Sequence, residues 1–134
     1  MSSVLVMMGS ESDMPTMDKG VAILREHGVE VQVEVSSAHR QPKRTAELAE
    51  GAAAAGHSVV ICGAGLSAAL PGVVAAHTSL PVIGVPVSAG TLGGLDALLS
   101  CAQMPPGVPV AAVGIDNAKN AAHLALRILG TGRD

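Results

Sequence analysis

The run Ser36-Ser37-Ala38-His39-Arg40-Gln41-Pro42 brings a proton carrier, a guanidinium and two hydroxyls together. Histidine takes up and releases a proton near neutral pH. Arginine grips a phosphate or carboxylate through paired donors, and serine adds hydrogen bonds of shorter reach. A solvated surface turn would read the same way, so the neighbouring elements must decide. Three other stretches are polar or glycine-rich: Gly9-Ser10-Glu11-Ser12-Asp13, residues 63–70 with Gly63, Ala64, Gly65, Ser67 and Leu70, and residues 88–94. The hydroxyls of Ser10 and Ser12, free amides at a helix start and Arg40 together suit a phosphate. Asp13 has the wrong charge for phosphate but suits ribose hydroxyls, and it is equally placed to cap a helix.

Each of these stretches follows a strand pattern. Val29, Val31, Val33 and Val35 alternate with Glu30, Gln32 and Glu34, which predicts a strand over 29–35. Pro42 suits the first turn of a helix, so the His39 run is a strand-to-helix turn. Apolar runs predict further strands over 4–8, 57–62, 81–87 and 108–113. Helices are predicted from residue 13 to Gly28, from Pro42 to Gly56 including the polyalanine 52–55, through 73–76, over 95–102 and over 117–129. The segment 63–72 reads as a glycine-rich loop that lets backbone approach a ligand closely. Strands alternating with helices imply a parallel sheet covered on both faces. The expected fold is α/β, a flavodoxin-like three-layer α/β/α sandwich with a five-stranded parallel sheet in the order 2-1-3-4-5. Right-handed crossovers then bring all four loops to one edge of the sheet.

Composition narrows the function. The 134 residues fit one domain, 1–134, and are 49% hydrophobic but only 14% charged, which favours an oligomer over a small monomer. With no Phe, Tyr or Trp, nothing can stack on a flavin or a base. A net charge of −3 argues against a nucleic-acid binder. The start has no basic leader and no apolar run reaches the length of a membrane span, so a cytoplasmic protein without a membrane partner is expected. Cys62 and Cys101 read as small buried residues. No His-x-x-x-His, His-Glu-x-x-His or Cys-x-x-Cys occurs, so no metal is expected. His27, His57, His77 and His123 fall in or beside elements away from the four loops. Gly65-Leu66-Ser67-Ala68-Ala69 lacks the second glycine of a nucleophile elbow. The third strand leads into Cys62-Gly63 rather than an aspartate, which weakens a phosphoacceptor reading.

The chain resembles the PurE family of purine biosynthesis. The resemblance is carried by Met8-Gly9-Ser10-Glu11-Ser12-Asp13, Ser37-Ala38-His39-Arg40, Gly63-Ala64-Gly65 with Leu70-Pro71-Gly72, Pro81-Val82-Ile83-Gly84-Val85-Pro86-Val87 and Gln103-Met104-Pro105-Pro106-Gly107-Val108-Pro109-Val110. It covers nearly the whole chain in order. Class I members of that family are mutases that turn N5-carboxyaminoimidazole ribonucleotide into 4-carboxy-5-aminoimidazole ribonucleotide. Class II members carboxylate aminoimidazole ribonucleotide with CO2.

The resemblance implies a homo-octamer with active sites between subunits, a small ribonucleotide substrate, and no metal or organic cofactor. It implies His39 as the general acid/base. Ser10, Ser12 and Asp13 would bind the phosphate and ribose side, helped by Ser37, Ala38 and Arg40. The segment with Gly63, Ala64, Gly65, Ser67 and Leu70 would enclose the imidazole and the carboxyl group. One departure bears on mechanism. Class I members usually read Gly-Gly-Ala-Ala-His-Leu-Pro-Gly in the third loop, and the position of that histidine is Ala69 here. Leu66-Ser67 replaces a Gly-Ala pair, and a serine at this point is similar to the Arg-Ser-Asn of class II; yet class II generally has lysine where this chain has Arg40. The expected activity is the mutase, with direct carboxylation, a related nucleotide carboxylase or an inactive binding variant as alternatives.

Overall fold

A computed structural model describes residues 2–130. Among these, five parallel strands form one sheet in the order β2-β1-β3-β4-β5: β1 Ser3–Met8, β2 Glu30–Val35, β3 Val59–Gly65, β4 Val82–Val87 and β5 Ala111–Ala112. The helices between them are α1 Met14–Glu26, α2 Pro42–Gly51, α3 Leu70–His77, α4 Leu95–Ala102 and α5 Ala118–Leu129, and a single 3-10 turn, Glu11–Asp13, leads into α1. This is the three-layer flavodoxin-like arrangement read from the sequence.

The period of two along β1 divides the core. Val4, Val6 and Met8 face one side, where they pack with Met17, Val21 and Leu24 of α1 and the alanines of α5. Leu5 and Met7 face the other, against Ala49 of α2, Leu70 and Val74 of α3, and Ala97 and Cys101 of α4. Small residues replace the missing aromatics by letting backbones approach: a Cβ on Gly20 of α1 would lie 2.6 Å from the carbonyl oxygen of Ala118. Cys62 and Cys101 are free and fully buried; burial drives both thiols up, Cys101 to about 11, so neither is a nucleophile at neutral pH.

The largest departures from the sequence reading lie at four boundaries. Residues 63–65 continue β3 instead of opening a loop, because Gly63, Ala64 and Gly65 pair in register with Val85, Pro86 and Val87 of β4. Helix α2 stops at Gly51, and the polyalanine 52–55 forms turns that close at Gly56, whose φ of 95° favours glycine. Of the apolar run 108–113 only Ala111–Ala112 is strand, opposite Ile83 and Gly84 at the sheet edge. Helix α3 starts at Leu70, earlier than the apolar residues 73–76 suggest.

Candidate active site

The chain leaves β1 towards β2 on one side, and runs from β3 through β4 to β5 on the other. The order therefore reverses between β1 and β3, where open α/β sheets carry a crevice beyond the strand ends. A cavity of about 440 Å³ lies there. From the loop after β1 it is lined by Gly9, Ser10, Ser12 and Asp13, and from the loop after β2 by Ser37, Ala38, His39 and Arg40. The end of β3 and the start of α3 add Ala64, Gly65, Leu66, Ser67, Ala69 and Leu70, and Ala89 follows β4. Three of the four loops thus converge as the sequence suggests, and the fourth contributes one residue.

Gly63 does not line the cavity. A side chain there would run into the Met17 thioether in the core, so its glycine serves packing. Ser36 is also absent: it is fully buried, with its hydroxyl 2.7 Å from that of Thr45. This bond ties the end of β2 to α2 and so fixes the turn that follows.

Local hydrogen bonds set each side chain. Ser10 Oγ accepts from the Ser12 N–H at 3.2 Å and lies 2.9 Å from Ser12 Oγ, which pairs the two hydroxyls at the mouth. Ser37 Oγ accepts from the Arg40 N–H at 3.1 Å and tightens the turn holding His39. Arg44 is spent on Glu34 and the Val35 carbonyl, whereas the Arg40 guanidinium has no partner among the described residues. Arg40 is therefore the cation available to an anionic ligand. Asp13 is only 8% exposed, yet its side chain makes no capping hydrogen bond to α1. Burial pushes its carboxyl above the usual range, a backbone hydrogen bond with Ser10 opposes this, and the charge of Asp116 adds to it.

His39 Nε2 lies 3.1 Å from the Ser67 carbonyl oxygen. A carbonyl only accepts, so Nε2 carries the proton, and Nδ1 is left without a protein partner among the described residues. This bond joins the loop after β2 to the loop after β3 across the cavity. Ala69 presents only a methyl group to the same space.

The remaining histidines are occupied elsewhere or lie outside this lining. His57 is buried between Ser3 Oγ at 2.8 Å and Gln32 Oε1 at 2.9 Å, His27 Nδ1 bonds the Ile23 carbonyl, and His77 pairs with Glu50. Among the described residues no three His, Cys, Asp or Glu side chains gather as a metal-binding group, and no helix is long and apolar enough to cross a membrane. Sequence reasoning does not single out Asp116, which lies on the loop after β5 and bonds Ser88; its only local mark is a turn-like Gly114-Ile115-Asp116-Asn117, and the fold alone brings it near Asp13.

The comparisons with known proteins agree with this geometry. A family model described as AIR carboxylase matches residues 3–134. The chain is 56% identical over 125 residues to the N5-carboxyaminoimidazole ribonucleotide mutase of Pyrococcus horikoshii, covering 93% of this chain and 71% of that protein. It is 54% identical over 127 residues to the phosphoribosylaminoimidazole carboxylase of Ogataea methanolica, covering 95% of this chain but 23% of that longer protein. Among solved structures, Treponema denticola PurE superposes with a TM-score of 0.87 at 32% identity, covering 97% of this chain and 81% of that one. With these matches running almost end to end, the chain belongs to the AIR carboxylase family.

Proposed function

We propose that this chain acts in purine biosynthesis as a mutase that converts N5-carboxyaminoimidazole ribonucleotide into 4-carboxy-5-aminoimidazole ribonucleotide. The observation that carries the reading is the His39–Ser67 hydrogen bond, which among the described residues leaves Nδ1 free in a cavity that also holds an unpaired Arg40. Ser10, Ser12 and Arg40 hold the phosphate, Asp13 meets ribose hydroxyls, and Ser37 and Ala38 form the wall beside them. Ala64, Gly65, Ser67 and Leu70 enclose the imidazole and the carboxyl group, while Gly63 supports this wall from the core.

The reaction moves a carboxyl group from nitrogen to carbon. Protonation of N5 as the N–carboxyl bond breaks leaves aminoimidazole ribonucleotide and CO2. C4 then attacks CO2 to form the new C–C bond, and the proton on C4 leaves. One imidazole serves both transfers, since His39 as imidazolium delivers a proton to N5 and, once neutral, takes one from C4. The bond to Ser67 holds the ring through Nε2, so Nδ1 is the nitrogen that exchanges the proton. CO2 must stay in the cavity between the two steps, which favours the apolar contribution of Ala64, Ala69 and Leu70.

Direct carboxylation by CO2 is the second reading. It is favoured by Ala69 at the position of the second family histidine and by the carboxylase name of the Ogataea relative. His39 then only removes the C4 proton. Purified protein supplied separately with the N5-carboxylated nucleotide and with aminoimidazole ribonucleotide plus bicarbonate separates the two: the mutase reading predicts faster turnover of the first, and conversion of the second alone contradicts it. Rescue of a purine auxotroph distinguishes both from carboxylation of an unrelated nucleotide.

The proposal includes a cytoplasmic homo-octamer of single-domain subunits, with no nucleic-acid or membrane partner. Leu92, Leu95 and Leu99 support association, since they leave 59%, 49% and 51% of their surface exposed on and beside α4. A stable monomer by light scattering at micromolar concentration contradicts it.

A further inference from the structure

Leu66 stands at the point where β3 turns into the approach to α3, with φ at 55°, a left-handed conformation in which a bulky L-residue is strained. Strain of this kind persists only where the surroundings hold it. Two short backbone bonds follow, Ala68 N–H to Leu66 O at 2.8 Å and Ala69 N–H to Ser67 O at 2.7 Å. The second shares its acceptor with His39, so the Ser67 carbonyl is fixed by its own turn before it receives the imidazole N–H. The Leu66 side chain lies over Gly90 in the loop after β4: a Cβ on Gly90 would come within 2.9 Å of Leu66 Cδ2. Glycine at position 66 would relieve the strain but would lose this anchor.

We infer that Leu66 is a positioning residue, which uses its contact with Gly90 to hold the Leu66-Ser67 turn and so present the Ser67 carbonyl to His39 Nε2. It touches the lip of the cavity, and its effect on proton transfer passes through His39. The inference rests on the reading of His39 as the proton carrier. The benefit is orientation: with the ring held at one nitrogen, the other keeps a constant direction towards the reacting atoms, and small displacements at this stage are costly.

Leu66→Gly and Leu66→Met provide the test. Glycine accepts the left-handed backbone, so the Gly variant should unfold at the same temperature as the parent or above it, with nucleotide affinity within about twofold. Its kcat should fall about ten- to a hundredfold. Solvent exchange of the His39 Nε2–H, followed by NMR in histidine-labelled protein and assigned with His39→Asn, should become at least about tenfold faster as the hydrogen bond loosens. Leu66→Met keeps an apolar contact over Gly90 and should retain parental kcat and exchange. A Leu66→Gly protein with parental exchange or parental kcat overturns the inference. Faster exchange in Leu66→Gly while the parent turns over neither nucleotide would overturn the catalytic reading and leave the positional one standing.

Discussion

Asp116 accepts two hydrogen bonds from Ser88, one from its backbone N–H at 2.8 Å and one from its hydroxyl at 2.6 Å. The pair ties the loop after β4 to the loop after β5, beside the cavity. Asp116 holds a φ of 60°, which Asp and Asn tolerate better than other side chains. Its negative charge also reaches Asp13, where it adds to the effect of burial.

Asp116→Asn keeps the backbone preference and one acceptor oxygen while removing the charge. The Asp13 carboxyl should therefore titrate at lower pH than in the parent, although burial, the larger cause, keeps it above the usual range. Carboxyl carbon NMR across a pH series measures this. An unchanged or higher midpoint would show that the two charges do not interact.

Gly20→Ala sets two effects of opposite sign against each other. In an open helix interior the change stabilises by about 1 kcal/mol. Here the new methyl would lie 2.6 Å from the Ala118 oxygen and 3.1 Å from its carbon, and neither belongs to a flexible side chain. Helices α1 and α5 must separate, so overpacking at about 1–3 kcal/mol should win and lower the urea midpoint. A gain in stability would mean that the two helices can slide apart freely.

The particular residues show why some of this architecture was legible and some was not. The Val29 to Val35 alternation marks β2 because this edge strand of the sheet has one wetter face, and Pro42 marks the helix after it. Gly63-Ala64-Gly65 has the composition of a loop, and only pairing with β4 and the space taken by Met17 make it strand. The His39 run stands out in sequence because reactive side chains cluster there, and the fold places it on the cavity wall. Its hydrogen bond to Ser67 joins residues 28 apart, and the left-handed turn at Leu66 is invisible in a leucine. Asp13 carries both a capping and a ligand-binding reading in sequence; its buried carboxyl, free of any capping bond, favours the second.

His57 makes stability depend on pH. Its Nε2–H donates to Gln32 and its Nδ1 accepts from the Ser3 hydroxyl, and burial lowers its pKa from 6.5. Between the lowered folded value and 6.5 the unfolded chain binds more protons, so the contribution is complete above 6.5 and is lost as pH falls through that window. Urea midpoints should drop more between about pH 7.5 and about pH 5.5 in the parent than in His57→Gln. Equal drops would assign the acid sensitivity to other groups.

Arg40→Ala should weaken nucleotide binding by about 1.5–3 kcal/mol, the range for a hydrogen bond to a charged group. Calorimetry with aminoimidazole ribonucleotide should then show Kd rising roughly 10- to 150-fold, with kcat at saturation less affected. Parental affinity would mean that the guanidinium does not meet the phosphate.

Turnover of N5-carboxyaminoimidazole ribonucleotide by His39→Asn decides whether His39 carries the proton at the imidazole. Asparagine can still donate to the Ser67 carbonyl but cannot exchange a proton near neutral pH, so the fold and most nucleotide affinity should remain. Its kcat should fall roughly 10²–10⁴-fold, the usual contribution of a general acid/base. A folded, nucleotide-binding His39→Asn protein that turns over at the parent rate would contradict that role.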